Sequence, residues 1–192
     1  MRLVLASASP RRKELLKEIY TPFEICPALG EEKAQSRSPE LLVQSLARAK
    51  AKEVFDRLGD LKAVVLGSDT VVVYDGEVLG KPKDEADAKR MLFALSGNVH
   101  KVMTGVCFFY TDRSGKVREK SDVGITEVKF NQLTEAFIDE YVKSGSPMDK
   151  AGAYGIQDGG LVEKIDGSYS CVVGLPVELC KRLFAEIKEV VL

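Results

Sequence analysis

The sequence predicts an α/β fold with a mixed sheet, and three observations carry that prediction. Ala63-Val64-Val65-Leu66-Gly67 is a short continuous apolar run, the mark of a strand covered on both faces, as in parallel sheets. Val71-Val72-Val73-Tyr74 and Glu77-Val78-Leu79 flank Asp75-Gly76, a hairpin signal that demands antiparallel pairing. Helical periodicity alternates with both kinds of strand along the chain.

Leu3-Val4-Leu5 reads as a buried strand that breaks on Ser7-Ala8-Ser9 and turns directly into a helix over residues 11–20. Leu15, Leu16 and Ile19 form its apolar face. Ser9 suits the N-cap, where its hydroxyl can accept from a first-turn N–H, and Pro10 suits the first helical position. Residues 22–26 make a short strand. Residues 27–38 form a polar connection carrying Glu31 and Glu32. A long helix over residues 39–58 follows, opened by Ser38-Pro39-Glu40 and closed by Gly59. Its stripe of Val43, Leu46, Ala47, Val54 and Leu58 also contains Lys50, four residues after Leu46 and four before Val54, whereas Arg48 and Lys52 lie away from it. An inward lysine needs a partner or a wet cleft; the plain alternative is that it snorkels at the edge of the core.

The apolar run at 63–67 ends in Ser68-Asp69-Thr70, and the hairpin follows. Gly80-Lys81-Pro82 is a loop. Asp84-Glu85 opens a helix to residue 95, stopped by Ser96-Gly97-Asn98. Residues 99–111 and 117–130 are two long strands joined through Asp112-Arg113-Ser114-Gly115-Lys116. Thr134 caps a helix to residue 142. Residues 151–160 are too glycine-rich for a regular element and imply close approach of backbone to something. Residues 161–165 make a strand, and Pro176 opens a last helix to residue 190, with Leu179, Leu183 and Ile187 inward. There is no internal repeat and no low-complexity segment.

The chain has 192 residues, with 28 basic and 29 acidic side chains and a net charge of -1. Duplex nucleic acid or an anionic membrane as main partner would call for a basic excess, so both are disfavoured. A small anion needs only a local cluster. The four cysteines, Cys26, Cys107, Cys171 and Cys180, lack C-x-x-C spacing, and His100 is the single histidine, so a structural zinc site is not expected. Their apolar surroundings suggest buried thiols in a reducing compartment. With no signal peptide and no apolar run of membrane length, the cytoplasm is the expected location.

The charged residues offer a site. Arg11, Arg12 and Lys13 put positive charge at the positive end of a helix dipole, the wrong end for cations. Ser38-Pro39-Glu40, with the same opening, has an acid there. A bound phosphate resolves the conflict at Ser9, since free N–H groups, hydroxyls and guanidinium forks grip it together. The alternative is a solvated basic helix start, costing a few tenths of a kcal/mol per charge. Asp69 ends a buried strand, where ligands gather in open α/β sheets, although an aspartate there is often only a turn former. Lys81 and the Glu31-Glu32 pair would each pass for solvated loop residues. Together the set suits Mg²⁺-assisted attack on a phosphoanhydride, with acids holding metal and water and cations stabilising phosphate charge. Neither a P-loop nor a G-x-G-x-x-G is present.

Leu5-Ala6-Ser7-Ala8-Ser9-Pro10-Arg11-Arg12, Gly67-Ser68-Asp69-Thr70-Val71-Val72, Leu79-Gly80-Lys81-Pro82 and Asp149-Lys150-Ala151-Gly152-Ala153-Tyr154-Gly155-Ile156-Gln157 resemble, in order and over nearly the whole chain, the Maf proteins. These are nucleoside triphosphate pyrophosphatases related in fold to the inosine triphosphate pyrophosphatases. The resemblance implies a single domain over residues 1–192, an elongated mixed central sheet flanked by helices, and two lobes with a cleft. It implies hydrolysis of a nucleoside triphosphate to the monophosphate and pyrophosphate with a divalent cation, Mg²⁺ first and Mn²⁺ or Co²⁺ as alternatives, and a homodimer.

Carried over by motif, Asp69 is the proton acceptor, with Lys50 and Lys81 as cleft lysines. Ser7, Ser9, Arg11 and Arg12 hold the triphosphate. Glu32 or Glu31, with Asp69, is metal-linked, and the loosely aligned acidic loop leaves open which. Arg11, Thr70 and Gln157 look like the branch that prefers dTTP and UTP, including modified pyrimidine nucleotides. An amide suits a pyrimidine edge, because it offers both donor and acceptor. Ser68 stands where alanine is common. Two other readings are house-cleaning of other non-canonical nucleotides and a nucleotide-binding regulator of cell division or septum formation.

Overall fold

The computed structural model describes residues 1–30, 36 and 38–191. In chain order the elements are β1 (Arg2–Leu5), α1 (Pro10–Lys17), β2 (Phe23–Ile25), α2 (Pro39–Leu58), β3 (Ala63–Tyr74), β4 (Glu77–Leu79), α3 (Glu85–Leu95), β5 (Val99–Thr111), β6 (Val117–Phe130), α4 (Glu135–Lys143), β7 (Val162–Asp166), α5 (Tyr169–Val173) and α6 (Val177–Lys188). Among the described residues the strands form one seven-stranded sheet in the order β2-β1-β3-β5-β6-β7, with β4 paired to β3. β1 runs parallel to β2 and β3, whereas β3 with β4 and β6 with β7 are antiparallel. The mixed sheet is the one predicted. None of the described helices is long and apolar enough to cross a membrane.

Two compact units share these strands. The first comprises Met1–Asp69, Thr104–Gly124 and Gly174–Leu192. Its sheet is covered on both faces, and the period of two along each strand sorts the core. Leu3, Leu5, Val64, Leu66, Val106 and Phe108 meet Leu16 of α1 and Leu183, Phe184 and Ile187 of α6. Val4, Ala63, Val65, Cys107 and Phe109 face the other way, onto Ala47, Ala51, Val54 and Phe55 of α2. Each fully buried leucine or phenylalanine contributes about 2 kcal/mol relative to exposure. On β6, Arg118, Lys120 and Asp122 pair with Asp112, Glu186 and Arg182, charges that discourage stray strand pairing.

The second unit comprises Thr70–Met103 and Ile125–Val173. Here Val72, Leu79, Leu92, Leu95, Ile138, Val142, Tyr154 and Leu161 make the core, with α3 packed on α4. Asp75 and Gly76 both have positive φ, 49° and 77°, the type I′ turn that an Asp-Gly hairpin predicts.

Several expectations need correction. β3 does not stop at residue 67: it runs unbroken through Asp69 to Tyr74, because β-branched Val71, Val72 and Val73 continue the strand and β4 pairs with its far half. α1 ends at Lys17 rather than residue 20, and α6 covers Val177–Lys188. The glycine-rich stretch holds short 3-10 turns at Ala151–Ala153 and Ile156–Asp158. The five-residue α5 is unanticipated, being too short to show helical periodicity. The thiols of Cys107, Cys171 and Cys180 are buried, but Cys26 is only half-buried. Burial pushes the Cys107 thiol up to about 12.

Candidate active site

β1 ends at Leu5, in register with Leu66, and the Ala6 N–H donates to the Leu66 carbonyl at 2.8 Å. The chain then turns into α1. Ser9 is its N-cap, accepting from the Arg12 N–H at 3.4 Å, with Pro10 next and no acid in the first turn. Ser7 is buried, and its hydroxyl oxygen accepts from the Ser9 N–H at 3.2 Å and from Arg12 Nη1 at 3.4 Å. Arg12 Nε donates to the Gly174 carbonyl at 2.8 Å, and the buried Ser68 hydroxyl donates to the same carbonyl at 3.0 Å. One backbone oxygen thus ties the arginine of the turn to the residue beside Asp69. These acceptors are neutral, and they orient the Arg12 guanidinium. Arg11 is half-buried in the same first turn.

Asp69 follows from how α2 lies on the sheet. A Cβ on Gly67 would sit 2.2 Å from the Ala47 carbonyl oxygen, and one on Gly105 would sit 2.4 Å from that of Val43. Only glycine admits a helix backbone this close. Lys50, one turn beyond Ala47, is therefore carried onto β3. Asp69, two residues past Gly67, projects from the same strand face. Lys50 Nζ donates to Asp69 Oδ1 at 2.5 Å, with the two side chains 17% and 10% exposed. The lysine in the apolar stripe of α2 has its partner, and the snorkelling alternative falls. A buried pair of this kind is costly to break, because removing one member strands the other's charge.

The remaining candidates lie in the second unit. Thr70 is half-buried on β3. Lys81 is exposed just after β4, and the Gly80 carbonyl accepts from the Gly152 N–H at 3.0 Å, which joins two of the quoted motifs. Gln157 is exposed on the turn Ile156–Asp158. Tyr154 is buried, its hydroxyl 2.8 Å from His100 Nε2, and both rings pack edge-on against Phe130. Burial lowers the His100 pKa to about 4, so the imidazole is neutral. Glu31 and Glu32 fall outside the described residues. Among the described residues no three acidic, histidine or cysteine side chains cluster as metal ligands.

The sequence did not point to Gly174. Its contribution is a carbonyl oxygen, which every residue carries, so no side-chain pattern could have marked it.

Solved and curated proteins resemble this chain. The Staphylococcus aureus Ham1 protein superposes with a TM-score of 0.58 over 97% of this chain and 100% of its own, at 12% identity, a likeness of fold alone. A dTTP/UTP pyrophosphatase of Thermococcus gammatolerans is 50% identical over 183 residues, 94% of each chain. Another, of Agathobacter rectalis, is 46% identical over 200 residues, 97% of this chain and 96% of its own. Residues 2–187 match the family described as Maf-like protein, and the chain belongs to that family.

Proposed function

We propose that the chain is a nucleoside triphosphate pyrophosphatase acting on dTTP and UTP. The observation that carries this reading is the Lys50–Asp69 pair, one residue from Ser68, which shares a carbonyl with Arg12 of the basic helix start. A binding protein has no need of a buried carboxylate beside a phosphate grip, whereas hydrolysis needs one to take a proton. The names carried by the relatives supply the substrates.

In this reading Ser7, Ser9, Arg11 and Arg12 hold the triphosphate, with the N–H groups of α1. Asp69 orients a water and accepts its proton as the oxygen bonds to the α-phosphorus. The bond from that phosphorus to the bridging oxygen breaks, and pyrophosphate leaves. Lys50 holds the Asp69 carboxylate in place, and Lys81 adds positive charge for the leaving group. Arg11, Thr70 and Gln157 set base preference. Mg²⁺ fits this donor set, because it takes one or two carboxylates and fills its shell with waters and substrate phosphates. Asp69 supplies one, and Glu32 or Glu31 is the expected second. The bound cation would neutralise phosphate charge. We also place the protein in the cytoplasm as a homodimer, and sedimentation at twice the monomer mass tests the latter.

The decisive experiment is pyrophosphate release from a panel of dTTP, UTP, dGTP, dATP, ITP and 7-methyl-GTP. Turnover is expected to be highest for dTTP and UTP, lost with EDTA and restored by Mg²⁺. Hydrolysis of none of the panel overturns the enzyme reading; preference for ITP overturns the pyrimidine assignment.

A further inference from the structure

We propose that Tyr141 is a positioning residue for base selection, its hydroxyl clamping the turn that presents Gln157. The inference rests on the reading of Gln157 as a base-contacting residue. Tyr141 lies on α4, half-buried, with its ring stacked on Phe137 at 6.3 Å. Its hydroxyl donates to Asp158 Oδ2 at 2.5 Å and accepts from the Gly155 N–H at 3.0 Å. Those two partners stand on either side of Ile156 and Gln157. The Asp158 N–H donates to the Gly155 carbonyl at 3.0 Å, closing the same four residues into a turn.

The clamp has further support and no slack. Asp158 Oδ2 also accepts from the Ser146 hydroxyl at 2.8 Å, and Lys150 Nζ donates to Ser146 Oγ at 3.0 Å. A Cβ on Gly155 would come within 2.8 Å of both Asp158 Oδ2 and Lys150 Cε, so the turn is closed down on these groups. Upstream, Tyr154 is anchored by His100. Burial and the Asp158 carboxylate hold the Tyr141 phenol protonated, the form that can donate to Asp158 while accepting from Gly155. An exposed glutamine has many rotamers and an adaptable backbone beneath it. Fixing that backbone lowers the ordering cost of a base contact and raises its selectivity.

The test is the ratio of kcat/KM for dTTP over dGTP in wild type, Tyr141→Phe, Gln157→Ala and the double variant, with thermal midpoints as a folding control. Phenylalanine keeps the ring packing and removes only the hydroxyl. Tyr141→Phe is expected to lower the ratio about tenfold, the loss carried mainly by KM, and to add nothing to Gln157→Ala. Asp158→Asn, which keeps an acceptor, is expected to fall in between. If Gln157→Ala lowers the ratio and Tyr141→Phe does not, Tyr141 is no positioning residue. If Gln157→Ala itself leaves the ratio unchanged, the reading of Gln157 fails, and the role of Tyr141 with it.

Discussion

Two helices in this protein open with the same dipeptide and are finished in opposite ways. Ser9 and Ser38 each cap a helix, accepting from the N–H three residues on, and each is followed by proline at the first position. At α2 the next residue is Glu40, whose Oε2 accepts from the Ser38 hydroxyl at 2.7 Å, so the positive end of the dipole has its own anion. At α1 the next residues are Arg11 and Arg12, and the first turn holds no acid. The cap chemistry is local and identical; the charge is not. The contrast teaches that α2 carries in its own first turn the acid its dipole favours, while α1 carries cations there, an arrangement suited to binding an anion.

The largest expected effect separates binding at α1 from the chemistry next to it. Asp69→Asn should lower kcat by about 10²- to 10⁴-fold, the usual worth of a proton acceptor, with triphosphate binding retained. Single-turnover rates alongside equilibrium binding would read the two separately, and an active variant removes Asp69 from that role. Next, Arg12→Met should raise KM for dTTP by about 10- to 100-fold, the cost of charge-assisted bonds to phosphate. Glu40→Gln, at the other helix start, should leave KM alone. Equal effects from the two substitutions would mean that the helix starts do not differ in function.

Stabilities of such variants must be read at one pH, because His100 makes the fold pH-dependent. Its folded pKa, about 4, lies below its ordinary value of 6.5. The unfolded chain therefore binds a proton first as pH falls. Stability is fully present above 6.5 and is lost between 6.5 and 4, by about 2 kcal/mol at pH 5. Urea midpoints at pH 7 and 5 would show this, and the His100→Gln variant should lose that part of the dependence. The smallest effect is at α2 itself. Glu40→Gln should cost about 0.5 kcal/mol, because it removes a charge that favours the helix dipole; chemical denaturation at pH 7 checks it.

Much of the site could be read before the fold was seen. Lys50 stood out because it broke an apolar stripe, and the structure pairs it with Asp69. The pairing itself was not legible, because it depends on Gly67 and Gly105 letting α2 settle onto two strands. Asp69 was singled out for a location it does not have, since β3 continues past it. The parallel ladder of β1 ends at Leu66, so Asp69 still lies beyond the carboxyl end of a neighbouring strand. Nor was Tyr141 legible, as nothing in its own helix marks a hydroxyl that serves residues 14 and 17 positions away.

By itself the sequence determined what depends on near neighbours. The span of α2 from Pro39 to Leu58, the Thr134 cap, the Asp75-Gly76 turn and the mixed character of the sheet all follow from caps, turn residues and periodicity, which act within a few residues. Only the tertiary structure decided that Arg12 and Ser68 meet at Gly174, 162 and 106 residues away, and that one lysine among many faces Asp69. Those contacts hinge on backbone atoms common to every residue and on how closely a helix may approach a sheet. Both are properties of packing, and neither has a local sequence signature.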